Sequence, residues 1–219
     1  MRSVQVVIGY DPRQPIAFQV AAHSVWAHAT CPVTITRLAL KQLPLTRRGL
    51  TDFTYSRFLT PWLSGFEGVS IFLDSDVLVR GDVAELLGYH LAYPGVPVHV
   101  VPHERKFERP SVMVFHNPSC LNLTPEFVGD PTNKLFDFAW ARTVGELAPA
   151  WNHLVGYDAP NPDAKIVHFT MGVPIWEETK RCEFHEEWQA MAKQSMSSVS
   201  FEALMGRSVH VAHMQKVGV

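Results

Sequence analysis

Two aspartates that follow a short apolar run constrain this chain more than any other feature. Residues 69–73 read Val-Ser-Ile-Phe-Leu, a pattern that predicts a buried strand. Asp74, Ser75 and Asp76 come directly after it. Neighbouring carboxylates repel each other, so at a strand end they must be solvated, paired or metal-bound. Ligands of open α/β sheets bind at this end of the strands, so a divalent cation carrying phosphate oxygens fits the pair; a plain acidic loop is the alternative.

Strand and helix patterns alternate along the chain. The expected strands are 4–8, 33–40, 69–73, 77–79, 96–101, 111–115 and 165–169. The expected helices are 15–28, 55–63 with a kink at Pro61, 83–87 behind an Asp82–Glu85 capping pair, a short one from Thr124, and 184–196. This alternation predicts an α/β fold with a mainly parallel sheet flanked by helices.

Composition narrows the class of protein. A chain of 219 residues predicts a single domain, 1–219, of which 196–219 forms a C-terminal extension. A net charge of -2 gives no electrostatic reason to bind nucleic acid. Three scattered cysteines (Cys31, Cys120, Cys182) form neither a zinc pattern nor a disulfide framework, which favours a reducing compartment. The N-terminus lacks a signal-peptide layout and no apolar run reaches transmembrane length, so we expect a cytoplasmic protein.

Several segments together resemble a known family. Residues 73–86, Leu-Asp-Ser-Asp-Val-Leu-Val-Arg-Gly-Asp-Val-Ala-Glu-Leu, are similar to the metal-binding segment of GT-A fold glycosyltransferases, particularly glycosyltransferase family eight. The supporting segments are Tyr-Ser-Arg-Phe at 55–58, Lys-Ile-Val-His-Phe at 165–169, Gly172 and the Pro174-x-Trp176 ending. A bacterial and phage group with Gly-Tyr-Asp at its start and Trp-Asn-His-Leu-Val-Gly, here 9–11 and 151–156, is the most similar. The resemblance covers about residues 4 to 190.

The resemblance implies a GT-A, Rossmann-like fold and a metal-dependent hexosyltransferase that retains configuration. The expected donor is a nucleotide-sugar, specifically a UDP-sugar, and the acceptor a glycan or a lipid-linked molecule. Asp74, Asp76 and His168 would then ligate Mn²⁺ or Mg²⁺. A histidine beside two carboxylates favours Mn²⁺ over an all-oxygen magnesium site. A bound cation stabilises the charge that develops on the leaving nucleotide.

The same resemblance assigns further roles. Gly9, Tyr10 and Asp11 would cradle the nucleoside, and Ser75 would reach the ribose. Arg57 would either approach the phosphates or brace Asp74. The expected catalytic residues are Asp74, Asp76 and Asn152, and the candidates for sugar or acceptor contacts are Trp151, Asn152, His153, Trp176 and Arg109. By default the other histidines, including His103, His116, His153, His210 and His213, are expected to have surface or packing roles.

The chain departs from the family pattern in three places. The loop after His168 carries no lysine for the diphosphate, and Lys180 or Arg181 is a possible substitute. Arg109-Pro110-Ser111 stands where the family has Asn-x-Gly, and no Asp-Gln pair precedes Trp151. A nucleotide-sugar-binding protein that has lost catalysis is therefore one alternative. A haloacid-dehalogenase-type phosphatase is another, but Leu78 stands where it requires Thr or Val, and its later lysine and acidic pair are not found.

Overall fold

The computed structural model describes residues 3–196, so all but the first residue of the expected extension at 196–219, together with His210 and His213, lies outside the described residues. Nine strands are described: β1 Val4–Tyr10, β2 Val33–Ala39, β3 Val69–Leu73, β4 Val77–Val79, β5 Val98–Val100, β6 Val112–His116, β7 Val144–Glu146, β8 His153–Leu154 and β9 Ile166–His168. The described α-helices are α1 Pro15–His28, α2 Phe53–Ser56, α3 Thr60–Leu63, α4 Leu87–Ala92, α5 Pro125–Gly129 and α6 His185–Met196.

A six-stranded sheet in the order β2-β1-β3-β6-β5-β7 forms the centre of the fold. Strand β1 pairs in parallel with both β2 and β3. Strand β6 is antiparallel to its neighbours β3 and β5, and β7 is parallel to β5. Five strands therefore point one way and β6 points the other. The prediction of an α/β fold with a mainly parallel sheet is confirmed.

Apolar clusters cover both faces of this sheet. One joins Val6 and Ile8 of β1 to Val25 of α1 and Val79 of β4, and a second on the other face joins Val7 to Phe58, Phe115 and their neighbours. Helix α1 begins at Pro15, whose fixed φ suits a first helical position. Its Ser24 hydroxyl accepts a hydrogen bond from the Val79 amide at 3.0 Å, which fixes α1 against β4.

The segment expected as one kinked helix at 55–63 is three short pieces. Helix α2 is followed by a 3₁₀ turn at Arg57–Leu59 and then by α3. Pro61 lies in the first turn of α3, where its missing amide hydrogen is tolerated. The break places Arg57 at a helix end, with its guanidinium buried beneath the carboxyl end of the sheet.

Other boundaries differ by small amounts. The strand expected at 96–101 is reduced to β5, and the strand expected at 165–169 to β9. Asp82 caps the next turn through the Ala84 amide at 2.9 Å, but Glu85 pairs with Lys165 rather than completing a capping box. Strands β7 and β8, at three and two residues, were not predicted because so short a segment shows no alternation.

Candidate metal centre and adjoining cleft

Strand pairing brings the predicted metal ligands together. Asp74 and Asp76 flank the turn between β3 and β4, at the carboxyl end of the large sheet. A small sheet in the order β4-β9-β8 lies beside this turn, and its antiparallel register sets His168 opposite Val77. The Phe169 amide donates to the Asp76 carbonyl at 2.9 Å, which extends this ladder by one bond. His168 is thereby placed next to Asp76 although 92 positions separate them along the chain.

The three side chains form a cluster suited to a cation. One ligand atom from each of Asp74, Asp76 and His168 lies within 4.8 Å of the others. Oδ1 of Asp74 and Oδ1 of Asp76 are buried and accept no hydrogen bond from residues 3–196. Arg57 and His168 lie beside these oxygens without completing a hydrogen bond to them, and a divalent cation would satisfy both oxygens. The donor set of two carboxylates and an imidazole can hold a divalent cation.

In the metal-free cluster the pKa values of all three side chains are shifted. Burial raises the pKa of Asp74 to about 7, with the Arg57 charge opposing this shift and the Asp76 charge adding to it. Burial also acts to raise the pKa of Asp76, but the charge of His168, whose Nε2 lies 3.5 Å from Asp76 Oδ1, lowers it overall. For His168, burial acts to lower the pKa and the Asp76 charge raises it overall. Without a cation the cluster therefore retains protons that metal binding releases.

Asn152 fixes the orientation of His168. Nδ1 of His168 lies 3.2 Å from Oδ1 of Asn152, whose Nδ2 donates to the Glu108 carbonyl at 3.0 Å. Because the amide nitrogen of Asn152 is used by that carbonyl, its oxygen faces the ring and accepts from Nδ1–H. The lone pair of a neutral His168 is then on Nε2, which points towards Asp76. Asn152 is 2% exposed, and its contact with the cluster is the one to His168.

Arg57 is buried against Asp74. Its Nη1 lies 3.1 Å from Asp74 Oδ1 and donates to the Pro110 carbonyl at 3.2 Å, and its Nε donates to the Phe53 carbonyl. The guanidinium also lies within 6 Å of three phenylalanine ring centroids. These contacts support the bracing role of Arg57. Its role as a phosphate ligand stays a prediction, and the side chain is 2% exposed.

Backbone carbonyls of one short segment, residues 108–111, accept hydrogen bonds from the cluster and from the residues that contact it. The Glu108 carbonyl accepts from Asn152, and the Pro110 carbonyl accepts from Arg57. The Ser111 carbonyl accepts from the backbone amide of Asp74 at 2.9 Å. This segment, which contains a 3₁₀ turn at Arg109–Ser111, therefore contacts both the Asp74 side and the His168 side of the cluster.

A cleft of about 480 Å³ opens beside Asp76. Its wall on the β1 side comes from the loop after β1 and the segment before α2, and its other wall from the β3–β4 turn and the loop after β9. The lining residues are Asp11, Arg13, Gln14, Leu50, Thr51, Phe53, Ser75, Asp76, Thr170, Met171, Gly172 and Trp176. Because β1 and β3 are parallel neighbours, their carboxyl ends form one edge, where ligands of α/β sheets bind.

The predicted nucleoside residues divide into two groups. Asp11 and Ser75 line the cleft. Gly9 lies behind Phe53, because a Cβ atom at position 9 would fall 2.5 Å from the Phe53 ring. The Tyr10 ring contacts Phe18 edge-on at 5.7 Å, and it is not among the residues that line this cleft. Gly9 therefore has a packing role against Phe53. The Tyr10 ring contacts Phe18, and base stacking by Tyr10 stays a prediction.

Sequence reasoning missed Arg13. Its side chain is 65% exposed, lines the cleft and pairs with Asp11, whose pKa the Arg13 hydrogen bond lowers against the effect of burial. A cation two residues beyond an aspartate at a strand end is a signal that the sequence does contain. Lys180, proposed as a substitute for the absent lysine, pairs instead with Glu177, and neither it nor Arg181 lines the cleft.

Of the candidates for sugar contacts, some line the cleft and others do not. Trp176 lines the cleft and is 50% exposed. Trp151 is buried in the core, and His153 is 2% exposed and pairs with Glu183 at 2.9 Å. Arg109 lines a separate cavity and donates to the His103 carbonyl. His103 pairs with Asp158 and His116 stacks on His90, in keeping with structural roles.

Sequence comparison gives the chain a family. No family model matches it. Protein CDI of Arabidopsis thaliana is 32% identical over 219 residues, an alignment that covers 84% of each chain. The chain belongs to the family of protein CDI.

Comparison with solved structures shows which fold this chain has. The galactosyltransferase LgtC, in a complex with donor and acceptor sugar analogues, has a TM-score of 0.60 at 14% identity, covering 91% of this chain and 99% of that one. GlyE of Streptococcus pneumoniae scores 0.65 at 16% identity, over 90% of this chain and 61% of that one. The bifunctional glycosyltransferase WbbM scores 0.64 at 16% identity over 93% of this chain, which spans about half, 51%, of WbbM. The fold is that of the GT-A glycosyltransferases.

None of the helices within residues 3–196 has both the length and the apolar character needed to cross a membrane.

Proposed function

We propose that this protein is a metal-dependent glycosyltransferase that moves a hexose from a nucleotide-sugar, specifically a UDP-sugar, to a glycan or a lipid-linked acceptor. The observation that carries the proposal is the cluster of Asp74, Asp76 and His168 at the edge of a cleft between two parallel strand ends. The GT-A fold supports the same reaction class. Membership of glycosyltransferase family eight, retention of configuration and a cytoplasmic location belong to the same proposal.

The residues of the cluster divide the work. Asp74 and Asp76 supply oxygen ligands and His168 supplies Nε2, while Arg57 and Asn152 hold two of these side chains in place. A bound Mn²⁺ or Mg²⁺ would stabilise negative charge on the departing nucleotide diphosphate. Ser75 lies between the two ligands, is 4% exposed and lines the cleft, where a ribose hydroxyl is its proposed partner.

Trp176 offers a further contact with carbohydrate. The exposed indole stands at the cleft, next to Gly172, whose φ of +106° is a conformation that favours glycine. Aromatic rings pack against the apolar faces of other molecules while leaving polar groups to bind elsewhere. We assign Trp176 to the sugar of the donor or the acceptor.

Nucleotide release from a panel of nucleotide-sugars, with and without Mn²⁺, tests the proposal. We expect release from one UDP-sugar that depends on Mn²⁺ and increases when acceptor is added. Binding of UDP with Mn²⁺ but no turnover of any donor would favour the alternative of a nucleotide-sugar-binding protein without catalysis. The buried position of Arg57 and the absence of Lys180 and Arg181 from the cleft lining are the observations that keep this alternative open. Phosphatase activity without sugar transfer would contradict the proposal.

A further inference from the structure

The charge balance of the cleft calls for a cation beside the metal. Two carboxylates, Asp74 and Asp76, neutralise one divalent cation, so they leave the charge of a bound diphosphate uncompensated. Besides Asp76, the charged residues that line the cleft are Asp11 and Arg13. Their side chains differ in access, since Asp11 is 6% exposed and Arg13 65% exposed. Among residues 3–196, Arg13 is therefore the cation that a ligand in this cleft meets.

The guanidinium of Arg13 is held on one side and open on the other. Its Nε donates to Asp11 Oδ1 at 2.9 Å and its Nη2 to Asp11 Oδ2, and Nη2 also donates to the Leu50 carbonyl at 2.7 Å. Nη1 makes no hydrogen bond to residues 3–196 that we observe. A guanidinium is planar and keeps its fork rigid, so fixing Nε and Nη2 also fixes where Nη1 lies.

Asp11 is already fully engaged in holding this side chain. Besides the two guanidinium bonds, it accepts from the backbone amide of Arg13 at 2.9 Å and from that of Asp52 at 3.4 Å. A carboxylate with this many donors is a poor partner for another ligand. Its geometry is that of a residue that positions Arg13.

We propose that Arg13 binds the diphosphate of the nucleotide-sugar and that Asp11 positions Arg13 for this task. The proposal rests on the proposed function and deepens it by naming the cation that the leaving group meets besides the metal. Arg–phosphate bonds are charge-assisted and are among the stronger hydrogen bonds in proteins.

Isothermal titration of UDP and of uridine, both with Mn²⁺, tests the assignment. Arg13→Gln should weaken UDP binding about tenfold or more, since a charged hydrogen bond is lost, while uridine binding stays within about twofold. Arg13→Lys keeps the charge but lacks the planar fork, so its UDP affinity should lie between those of the native protein and Arg13→Gln. The matched control is Arg48→Gln, because Arg48 is 64% exposed and also pairs with an aspartate, Asp52, but does not line the cleft.

A double-mutant cycle tests the positioning role of Asp11. Asp11→Asn should weaken UDP binding, and the Asp11→Asn/Arg13→Gln double variant should lose no more than Arg13→Gln alone. The double variant also avoids leaving a buried carboxylate unpaired, and circular dichroism melting confirms that each variant is folded. Fully additive losses would overturn the positioning role.

Other results overturn the assignment of Arg13. Equal losses of UDP and uridine affinity would make Arg13 a base or ribose contact. Unchanged UDP affinity in both Arg13 variants, with the wild-type protein binding UDP normally, would refute the inference and leave the proposed function standing. If the wild-type protein binds no nucleotide diphosphate, both the assignment of Arg13 and the proposed function are wrong.

Discussion

Nη1 of Arg57 lies 3.1 Å from Oδ1 of Asp74, and both side chains are buried. The guanidinium is also bound by the carbonyls of Phe53 and Pro110, so the fold holds it in place independently of Asp74. An arginine held in this way stabilises the charged form of its partner. It does not fully offset the effect of burial, which leaves the pKa of Asp74 at about 7.

Replacing Arg57 should reveal this bracing role. Arg57→Met should destabilise the metal-free protein by up to about 3 kcal/mol at pH 8, because Asp74 must then stay charged without its partner or take up a proton. The loss should be smaller at pH 6, where Asp74 already holds its proton. Urea unfolding at the two pH values measures this. Mn²⁺ affinity in the absence of nucleotide should also fall. A second variant, Arg57→Lys, tests the other role. If UDP affinity falls from the native protein to Arg57→Lys and again to Arg57→Met, while uridine and Mn²⁺ affinity stay constant, Arg57 is a phosphate ligand.

The two aspartates of the cluster should respond differently to neutralisation in the metal-free protein. Because its folded pKa is raised, Asp74 binds a proton in the fold that the unfolded chain has released, so stability falls as pH rises from about 4 towards 7. Asp74→Asn should remove this pH dependence, so that stability no longer falls between about pH 4 and pH 7. The pKa of Asp76 is lowered, so it contributes stability above its unfolded pKa, and Asp76→Asn should destabilise the protein at neutral pH.

Both of these variants should bind metal more weakly. We expect Mn²⁺ affinity, followed by the electron paramagnetic resonance of the free ion, to fall at least about tenfold in Asp74→Asn and in Asp76→Asn, because each loses an anionic ligand. Native Mn²⁺ and UDP affinity in both variants would rule out the metal centre, whatever their stabilities.

Metal binding should depend on pH through His168. The Asp76 charge raises the pKa of His168, and the imidazole must lose its proton from Nε2 before it can bind a cation. Mn²⁺ affinity should therefore weaken as pH falls through the histidine range. His168→Ala should weaken binding and remove much of this dependence. An unaltered affinity and pH profile in His168→Ala would return this residue to a structural role.

Asn152 should affect the metal through His168 alone. Asn152→Leu removes the acceptor for Nδ1–H, and changes of this kind cost about 10- to 100-fold in metal affinity. Asn152→Asp keeps an acceptor oxygen and should restore most of the affinity. A contact with the transferred sugar predicts a different outcome, in which Asn152→Leu binds Mn²⁺ normally and loses only turnover.

His99 should limit stability in acid. It is 1% exposed in β5, and burial, with a smaller effect from the His90 charge, lowers its pKa below 6.5. The unfolded chain therefore binds the proton more readily, and the stability that His99 contributes is lost as pH falls below about 6.5. His99→Phe keeps a ring in this site and should flatten the loss between pH 7 and pH 5 in urea titrations. An equally steep loss in that variant would point to other groups.

The sequence predicted those parts of the site that depend on one strand or one turn. The apolar run before Asp74 fixed both β3 and the edge at which its carboxylates lie. Which residues face the cleft depends on packing between distant segments, so it could not be read locally. The Tyr10 ring turns towards Phe18, Gly9 makes room for Phe53, and Trp151 lies in the core.

The ion pairs show the same limit. Arg57 was expected near the metal, but its burial depends on the 3₁₀ turn between α2 and α3, whereas the sequence pattern predicted only a kink at Pro61. Arg13 was not predicted, although Asp11 is only two residues away, because its position at the cleft also depends on the Leu50 carbonyl, 37 residues further along. Short edge strands such as β8 are set by neighbours and not by their own pattern.

The carbonyls of residues 108–111 make the candidate metal centre sensitive to a change in the length of this segment. Backbone acceptors depend on the path of the chain and only indirectly on the side chains that it carries, so many substitutions at 109 would leave all three hydrogen bonds intact. A one-residue deletion between Glu108 and Ser111 would instead displace the supports of Asn152, Arg57 and Asp74 together. The length of this segment, more than its composition, sets the distance between the two halves of the centre.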